Sequence, residues 1–136
     1  MKRILVHLKP LEKAGLIVSW DDTKIKAGDI WKMEIEKALK ISSVAILIIS
    51  ADFLASDFIR NDELPKLLHK AEDEGTRIIP VLAKPSRFTR ENSLNRFQAI
   101  NDPKKTLILC NEGEQEVIYD KLSSEIEMLI NYGNLS

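Results

Sequence analysis

Two adjacent carboxylates, Asp62 and Glu63, stand just before Pro65 in a segment with helical periodicity. Proline lacks a backbone N–H and its ring clashes with the carbonyl group one turn earlier, so the helix must kink or restart beside Glu63. Acids at the start of a helix are usually explained by their attraction to the positive end of the helix dipole. The other interpretation is functional, because backbone groups beside Glu63 would be loosened or freed at the mouth of the sheet. The chemistry of the residues alone favours the dipole explanation.

The stretch that leads to these acids predicts how they are positioned. Ser50 ends a long apolar run, and Ser56 is placed to cap a further helical turn. We expect Phe53 to pack beneath the end of that run, and Phe58 and Ile59 to turn inward. The acids would then lie at the mouth of a sheet, where open α/β folds bind their ligands.

A second charged segment, "WDDTKIKAGDIW", follows an earlier candidate strand and includes Asp21, Gly28 and Trp31. Gly28 permits a backbone turn before the next helix begins. The segment is either an ordinary connection between a strand and a helix, or a mobile charged loop that contacts a partner or closes over a ligand.

Several site chemistries have no support in the sequence. There is no G-x-G-x-x-G motif and no Walker A loop, so a dinucleotide bound in the ordinary Rossmann manner is not expected. No serine has the G-x-S-x-G context of acyl transfer, and Ser50 stands where a phospho-acceptor receiver domain needs an aspartate. Cys110 is the single cysteine, and with only His7 and His69 beside it there is neither a disulfide framework nor zinc-finger spacing.

Length and charge place further bounds on the protein. A chain of 136 residues suits a single domain, which we expect to span residues 1–136. The 20 basic and 21 acidic residues are balanced, so no overall field favours nucleic acid or an anionic membrane as a partner. No apolar run approaches the roughly 18 residues of a membrane span, and the first residues lack the pattern of a signal peptide. We therefore expect a soluble cytoplasmic protein.

Four short apolar runs predict strands that are buried on both faces, as in a parallel sheet. They are Val44 to Ser50, Arg77 to Ala83, Thr106 to Cys110 and, more weakly, Leu16 to Trp20. Helical patterns lie between and around these runs. One begins the chain, from Lys2 to Ala14; one places Ile30, Met33, Ile35, Ala38 and Leu39 near one face; and one places Ile118, Leu122, Ile126 and Leu129 on a stripe that stops at Gly133.

This alternation of strands and helices predicts an α/β fold with a doubly wound parallel sheet of flavodoxin-like architecture. The residues from Lys84 to Lys105 are rich in turn formers and predict a surface insertion. No internal repeat, low-complexity segment or linker divides the chain.

At these motifs the sequence resembles the Toll/interleukin-1 receptor (TIR) domain in its bacterial form. "WDDTKIKAGDIW" is similar to the loop between the second strand and second helix of that family, and "AILIISADFLASDFIRNDEL" to its third strand and following helix. "RIIPVLAKPSRF" is similar to the fourth strand with its exit loop. The S-x-x-F-x-x-S pattern is met by Ser50, Phe53 and Ser56, and an aromatic residue and a glutamate follow it.

The resemblance implies an activity, because many TIR domains cleave NAD+ between nicotinamide and ribose with a glutamate of this helix. By position Glu63 is the implied catalytic residue. Asp62 is the alternative, because the common aromatic-to-glutamate step of four residues leads from Phe58 to Asp62. Ser56, Phe58, Trp31 and Asp21 are the implied substrate-binding residues. NAD+ would be the substrate, and no metal or other cofactor is implied.

The resemblance also implies assembly, since other TIR domains act only as interaction modules for further TIR domains. The segment from Asp21 to Trp31 is the implied self-association loop. A non-catalytic TIR–TIR interaction module in signal transduction is therefore the second functional expectation.

TIR domains normally begin with a central strand of the "FISYSH" type, whereas this sequence begins at what resembles the helix after it. We therefore expect four strands with the usual amino-terminal central strand missing, and an empty slot between the first and second of them. The alternatives are an upstream segment that this sequence lacks, a strand supplied by another chain, or a rearranged sheet. An open slot would cost roughly 1–3 kcal/mol for each buried backbone group left unpaired.

Overall fold

A three-stranded parallel sheet forms the centre of the fold. The computed structural model describes residues 6, 8–10, 12, 17–21 and 29–135. Within residues 29–135, side chains are described for residues 32–130. The strands are β1 (Ile17–Trp20), β2 (Val44–Ile49) and β3 (Arg77–Leu82), in the order β1-β2-β3. Ile17 is paired with Val44 in one ladder, and Leu47 with Pro80 in the other. All six residues of β2 are buried, as expected for a strand covered on both faces.

Helices lie between these strands and after the last of them. They are α1 (Asp29–Ile41), α2 (Ala51–Ala55), α3 (Asp57–Arg60), α4 (Glu63–Asp73) and α5 (Glu112–Leu135), with short 3-10 turns at Phe88–Arg90 and Leu107–Leu109. Val6, Leu8 to Pro10 and Glu12 are also helical, in agreement with the predicted amino-terminal helix; its other residues lie outside the described part of the chain. The prediction of an α/β fold of flavodoxin-like type is confirmed.

The side chains of β2 alternate between two apolar clusters, one on each face of the sheet. Ala45, Leu47 and Ile49 pack in the cluster that contains the buried faces of α1 and α4. Val44, Ile46 and Ile48 pack in the cluster that contains Leu8 and, from α5, Tyr119, Leu122 and Ile126. Two covered faces are the defining property of a doubly wound sheet.

Two details of the predicted helices are wrong. Met33 was expected on the inner face of α1 but is 69% exposed, while Ile35 and Leu39 of the same helix are buried. The last helix does not stop at Gly133 but continues to Leu135. A single glycine costs a helix only about 1 kcal/mol, so it need not end one.

The strand predicted from Thr106 to Cys110 does not form. Leu107–Leu109 is a 3-10 turn, and Ile108 and Leu109 are 59% and 63% exposed. The outer edge of β3 is already occupied, because the Ile100 amide donates to the Pro80 carbonyl at 2.9 Å. The Ile108 amide reaches the end of that edge, at the Ala83 carbonyl (3.0 Å).

The predicted empty slot is also wrong, because β1 and β2 are directly paired along all four residues of β1. No described residue forms a strand between them. Of the alternatives, the rearranged sheet corresponds to this pairing. Direct pairing satisfies the backbone groups that an open slot would leave unpaired.

The start of α5 is fixed by a reciprocal capping box. The Asn111 amide donates to Glu114 Oε1 (3.0 Å), and the Glu114 amide donates to Asn111 Oδ1 (2.8 Å). Two backbone donors at the helix start are thereby satisfied. Gln115 Nε2 adds a bond to the Leu107 carbonyl (2.7 Å), which ties the helix to the preceding turn.

We expect Asn111→Ala to lower the free energy of unfolding by about 1 kcal/mol, the usual cost of a lost helix cap. Urea denaturation followed by circular dichroism measures the change. Asn92→Ala, at an exposed position outside the helices, is the control and should change stability by less than about 0.5 kcal/mol. Equal stability of wild type and Asn111→Ala would contradict the capping role.

Candidate functional site

The candidate site begins where β2 ends. Ser50 is 5% exposed, and its Oγ accepts a hydrogen bond from the Phe53 amide at 3.1 Å. This bond caps α2 and turns the chain directly from the strand into a helix. The predicted end of the strand at Ser50 is confirmed.

Ser56 occupies the cap position of α3, as its sequence position predicts, but its side chain does not cap that helix. Its Oγ donates instead to the Phe53 carbonyl at 2.8 Å, in the preceding turn. The Ser56 side chain is half-buried. The bond therefore fixes the joint between α2 and α3 and leaves the hydroxyl's acceptor capacity for another donor.

Phe58 turns inward, as expected. Its ring is 6% exposed and belongs to the apolar cluster that also holds Phe88 and Leu94. Phe58 therefore lies in the same buried core as residues that follow β3, and only its small exposed margin faces solvent.

Asp62 and Glu63 differ sharply in conformation. Asp62 is exposed and has a left-handed backbone (φ 60°, ψ 22°), which joins α3 to α4. Glu63 is half-buried and is the first residue of α4. Pro65 is the third residue of that helix, where an amide would have no partner inside the helix in any case. The predicted restart beside Glu63 is confirmed.

The topology places Glu63 at the carboxyl edge of the sheet. The chain leaves β2 at this edge, passes through α2 and α3, and then returns along α4 to the start of β3 at Arg77. The first turn of α4 therefore lies near the strand ends, which is where α/β folds bind ligands. Within the described residues, the Glu63 side chain forms neither a hydrogen bond nor an ion pair, so its carboxylate is available to a ligand.

An ion pair that the sequence did not predict joins the residues after β3 to the two short helices α2 and α3. Arg60 donates through Nε to the Leu54 carbonyl (3.0 Å) and through Nη2 to Glu91. Glu91 also accepts a hydrogen bond from Ser93 Oγ (2.9 Å). The two charged partners are 31 residues apart, so no local pattern reveals them. Their only sequence signal is that both follow strands whose ends share one edge.

The remaining predicted site residues are described only in part. Asp21 directly follows β1, at the same edge of the sheet as Ser50, and is half-buried. Trp31 lies in the first turn of α1, but its side chain lies outside the described part of the structure. Residues 22–28 lie outside it as well, so most of the predicted self-association loop has no structural account.

Within the described residues, no group of three or more potential ligands (His, Cys, Asp or Glu) could hold a metal ion. A cavity of about 340 Å³ lies between the first turns of α5 and residues 100–110. Its lining includes Ile100, Val117 and Lys121 and does not include Glu63. No described helix is both long and apolar enough to cross a membrane.

Comparison with known proteins identifies the family. Residues 8–108 match the family model of the TIR domain, which is about three quarters of the chain. The chain belongs to the TIR domain family. TIR domains as a class interact with other TIR domains, so the family assigns this protein to the signalling-type modules.

This TIR domain is 27% identical over 78 residues to a protein of Sinorhizobium fredii named "Uncharacterized protein y4lF". The match covers 57% of the chain but only 24% of that relative, so the chain spans about a quarter of the relative's length. No solved structure matches the chain.

Glu91, the ion-pair partner of Arg60, has a pKa that is shifted from its ordinary value in this TIR domain. Burial acts to raise the pKa of Glu91, but the hydrogen bonds from Arg60 and Ser93 and the positive charges of Arg60 and Arg87 outweigh it. The pKa of Glu91 is therefore below its ordinary value of 4.5. A lowered pKa in the folded state stabilises the protein above the ordinary value, and this contribution is lost as the pH falls through the folded value.

The stability of the TIR domain should therefore contain an acid-sensitive component that Glu91→Gln removes. We expect wild type to exceed Glu91→Gln by up to about 1 kcal/mol at pH 6, since the Arg60 partner is partly open to solvent. The difference should shrink as the pH falls below about 4.5. Urea denaturation at several pH values measures it, with Glu34→Gln on the exposed face of α1 as the control. A difference that is constant between pH 3 and 6 would contradict the ion pair.

The left-handed backbone of Asp62 predicts opposite effects of two substitutions. Asp62→Gly should leave stability unchanged or raise it by up to about 1 kcal/mol, because glycine adopts this conformation without steric cost. Asp62→Val should lower stability by about 1–2 kcal/mol, because a β-branched side chain clashes there. Thermal denaturation of both variants checks the order. A less stable glycine variant would show that Asp62 is not left-handed in solution.

Proposed function

We propose that this TIR domain cleaves NAD+ between nicotinamide and ribose, with Glu63 as the catalytic carboxylate, when it is assembled with other TIR domains. The observation that carries the proposal is the position of Glu63: a half-buried carboxylate without a described partner, in the first turn of α4 at the carboxyl edge of the sheet. The family's NAD+-cleaving members use a glutamate of the corresponding helix.

The chemistry suits a single carboxylate. The bond between the ribose carbon and the nicotinamide nitrogen breaks, and its electron pair leaves with nicotinamide, which becomes neutral without protonation. The ribose develops oxocarbenium character. Glu63 would accept hydrogen bonds from ribose hydroxyls and stabilise the developing positive charge, as carboxylates do in glycoside hydrolysis.

Capture of the sugar cation completes the reaction. Water adds to the ribose carbon and releases a proton, which gives ADP-ribose, or the adenine of the same molecule adds and gives a cyclic product. No metal and no additional cofactor takes part in either route, and NAD+ is the substrate.

The other implied residues take positioning roles in this proposal. The Ser56 hydroxyl can accept a hydrogen bond from the substrate while its O–H still donates to the Phe53 carbonyl. Phe58 offers only the margin of its ring, because the rest packs against the core. Asp21 lies at the end of β1, on the same edge, and Trp31 lies in the first turn of the helix that follows the loop.

Glu63 is a better candidate than Asp62 on conformational grounds. Asp62 is exposed and serves a left-handed link between two helices, a role that aspartate fills through its tolerance of that backbone. Glu63 is partly shielded from water, where a carboxylate interacts more strongly with a developing charge.

The second candidate is a non-catalytic module that recruits other TIR domains through the loop from Asp21 to Trp31. The direct pairing of β1 with β2 favours it, because the family's central strand forms one wall of the substrate pocket and no described strand lies between these two. Either role belongs to cytoplasmic signalling or defence.

The deciding experiment follows nicotinamide release from NAD+ by concentrated protein. Glu63→Ala and Glu63→Gln should reduce the rate by about 100-fold or more, the usual effect of removing a group that stabilises the transition state. Asp62→Ala should stay within a few-fold of wild type. Glu74→Ala, at the opposite end of α4, is the matched control and should not change the rate.

Loss of activity in Asp62→Ala alone would overturn the choice of Glu63. No release by wild type at concentrations where it self-associates would overturn the enzymatic proposal. In that case, self-association that depends on residues 21–31 supports the interaction module.

A further inference from the structure

In the described part of the structure, the outer edge of β3 is covered by the Asn101 side chain together with the backbone amides of Ile100 and Ile108, and not by a strand. In a strand, the N–H and C=O of one residue point to the same side, and alternate residues face opposite neighbours. Pro80 and Leu82 face away from β2, since their backbone groups bond to residues outside the sheet. Proline fits this position because its missing N–H would have pointed outward, where no ladder needs it.

Asn101 supplies the pairing that a neighbouring strand would otherwise provide. Its Oδ1 accepts a hydrogen bond from the Leu82 amide at 2.9 Å, and its Nδ2 donates to the Leu82 carbonyl, also at 2.9 Å. A side-chain amide carries the same donor and acceptor as a peptide group, so it pairs with both groups of Leu82 at once.

Asn101 is itself held firmly in place. Its Nδ2 also donates to the Lys105 carbonyl at 3.1 Å, and the residue is only 9% exposed. The Ile100 amide bonds to the Pro80 carbonyl, and the Ile108 amide to the Ala83 carbonyl. Residues 100–108 thus cover the edge from Pro80 to Ala83 without forming a strand.

An uncovered edge of this kind pairs readily with other chains. Residues 78–83 carry no charge and are rich in β-branched and leucine side chains, so no charge within this stretch opposes the pairing of two copies. Pairing of the same edge on two copies is isologous and closes at a dimer.

We propose that Asn101 is an edge cap, and that loss of the cap turns the outer edge of β3 into a pairing surface for the same edge of a second copy of this chain. The surface is distinct from the loop at residues 21–31. The proposal does not rest on NAD+ cleavage, so the two can fail independently.

The test compares Asn101→Ala with wild type and with Asn95→Ala. Asn95→Ala is the matched control, because it removes an asparagine hydrogen bond to the Thr89 carbonyl (3.1 Å) in the same segment without touching β3. Sedimentation across a range of concentrations should show the weight-average mass of Asn101→Ala rising to about twice that of wild type. Asn95→Ala should follow wild type throughout.

The rate of amide hydrogen exchange at Leu82 shows whether the two copies associate through the outer edge of β3. In dilute Asn101→Ala the Leu82 amide should lose its protection, and association should restore it. Two further variants separate edge pairing from loss of stability. Asn101→Asp, like Asn101→Ala, loses the Nδ2 donors to the Leu82 and Lys105 carbonyls, but it adds a charge at the edge. It should therefore not associate. Asn111→Ala removes the α5 cap without exposing the edge and should also follow wild type.

Asn101→Ser replaces Asn101→Ala if the latter does not fold, because the shorter hydroxyl side chain cannot reach both groups of Leu82. It should associate in the same way. The proposal is overturned if the folded Ala or Ser variant keeps the mass of wild type, or if it associates while the Leu82 amide stays unprotected.

Discussion

β2 must be paired along both edges and covered on both faces, because all six of its residues are apolar and buried. An unpaired backbone group at that depth would cost as much as a lost hydrogen bond. β1 and β3 satisfy the two edges, while α1 and α4 cover one face and α5 covers the other. At the carboxyl end of this strand, the hydrogen bond that caps α2 at Ser50 fixes the direction in which the chain continues.

The site inherits its geometry from that exit. Ser56 and Phe58 fix the two short helices after β2, and the left-handed link at Asp62 redirects the chain so that Glu63 opens α4. The pair of Arg60 with Glu91 then joins the exit segment of β3 to the same unit. Two neighbouring acids thus have different tasks: one is a conformational link, and the other presents a carboxylate at the sheet edge.

Short sequence patterns correctly predicted those features that depend only on neighbouring residues. The buried runs of β2 and β3, the end of the strand at Ser50 and the restart caused by Pro65 follow from apolar sequence and proline geometry. The strand predicted from Thr106 to Cys110 failed because the edge of β3 is occupied by Ile100 and Asn101, a long-range competition that no window of sequence contains. The direct pairing of β1 with β2 was open only as one alternative, a rearranged sheet, and the contact of Arg60 with Glu91 was not predicted, because both join residues that are far apart in the sequence.

The change in backbone amide chemical shifts when NAD+ is added to the protein tests whether Glu63 faces a ligand site at the carboxyl edge. We expect the largest changes between Ser56 and Glu63 and at the strand end beside Ser50. Changes concentrated instead around Ile100, Val117 and Lys121, which line the cavity beside α5, would contradict this expectation.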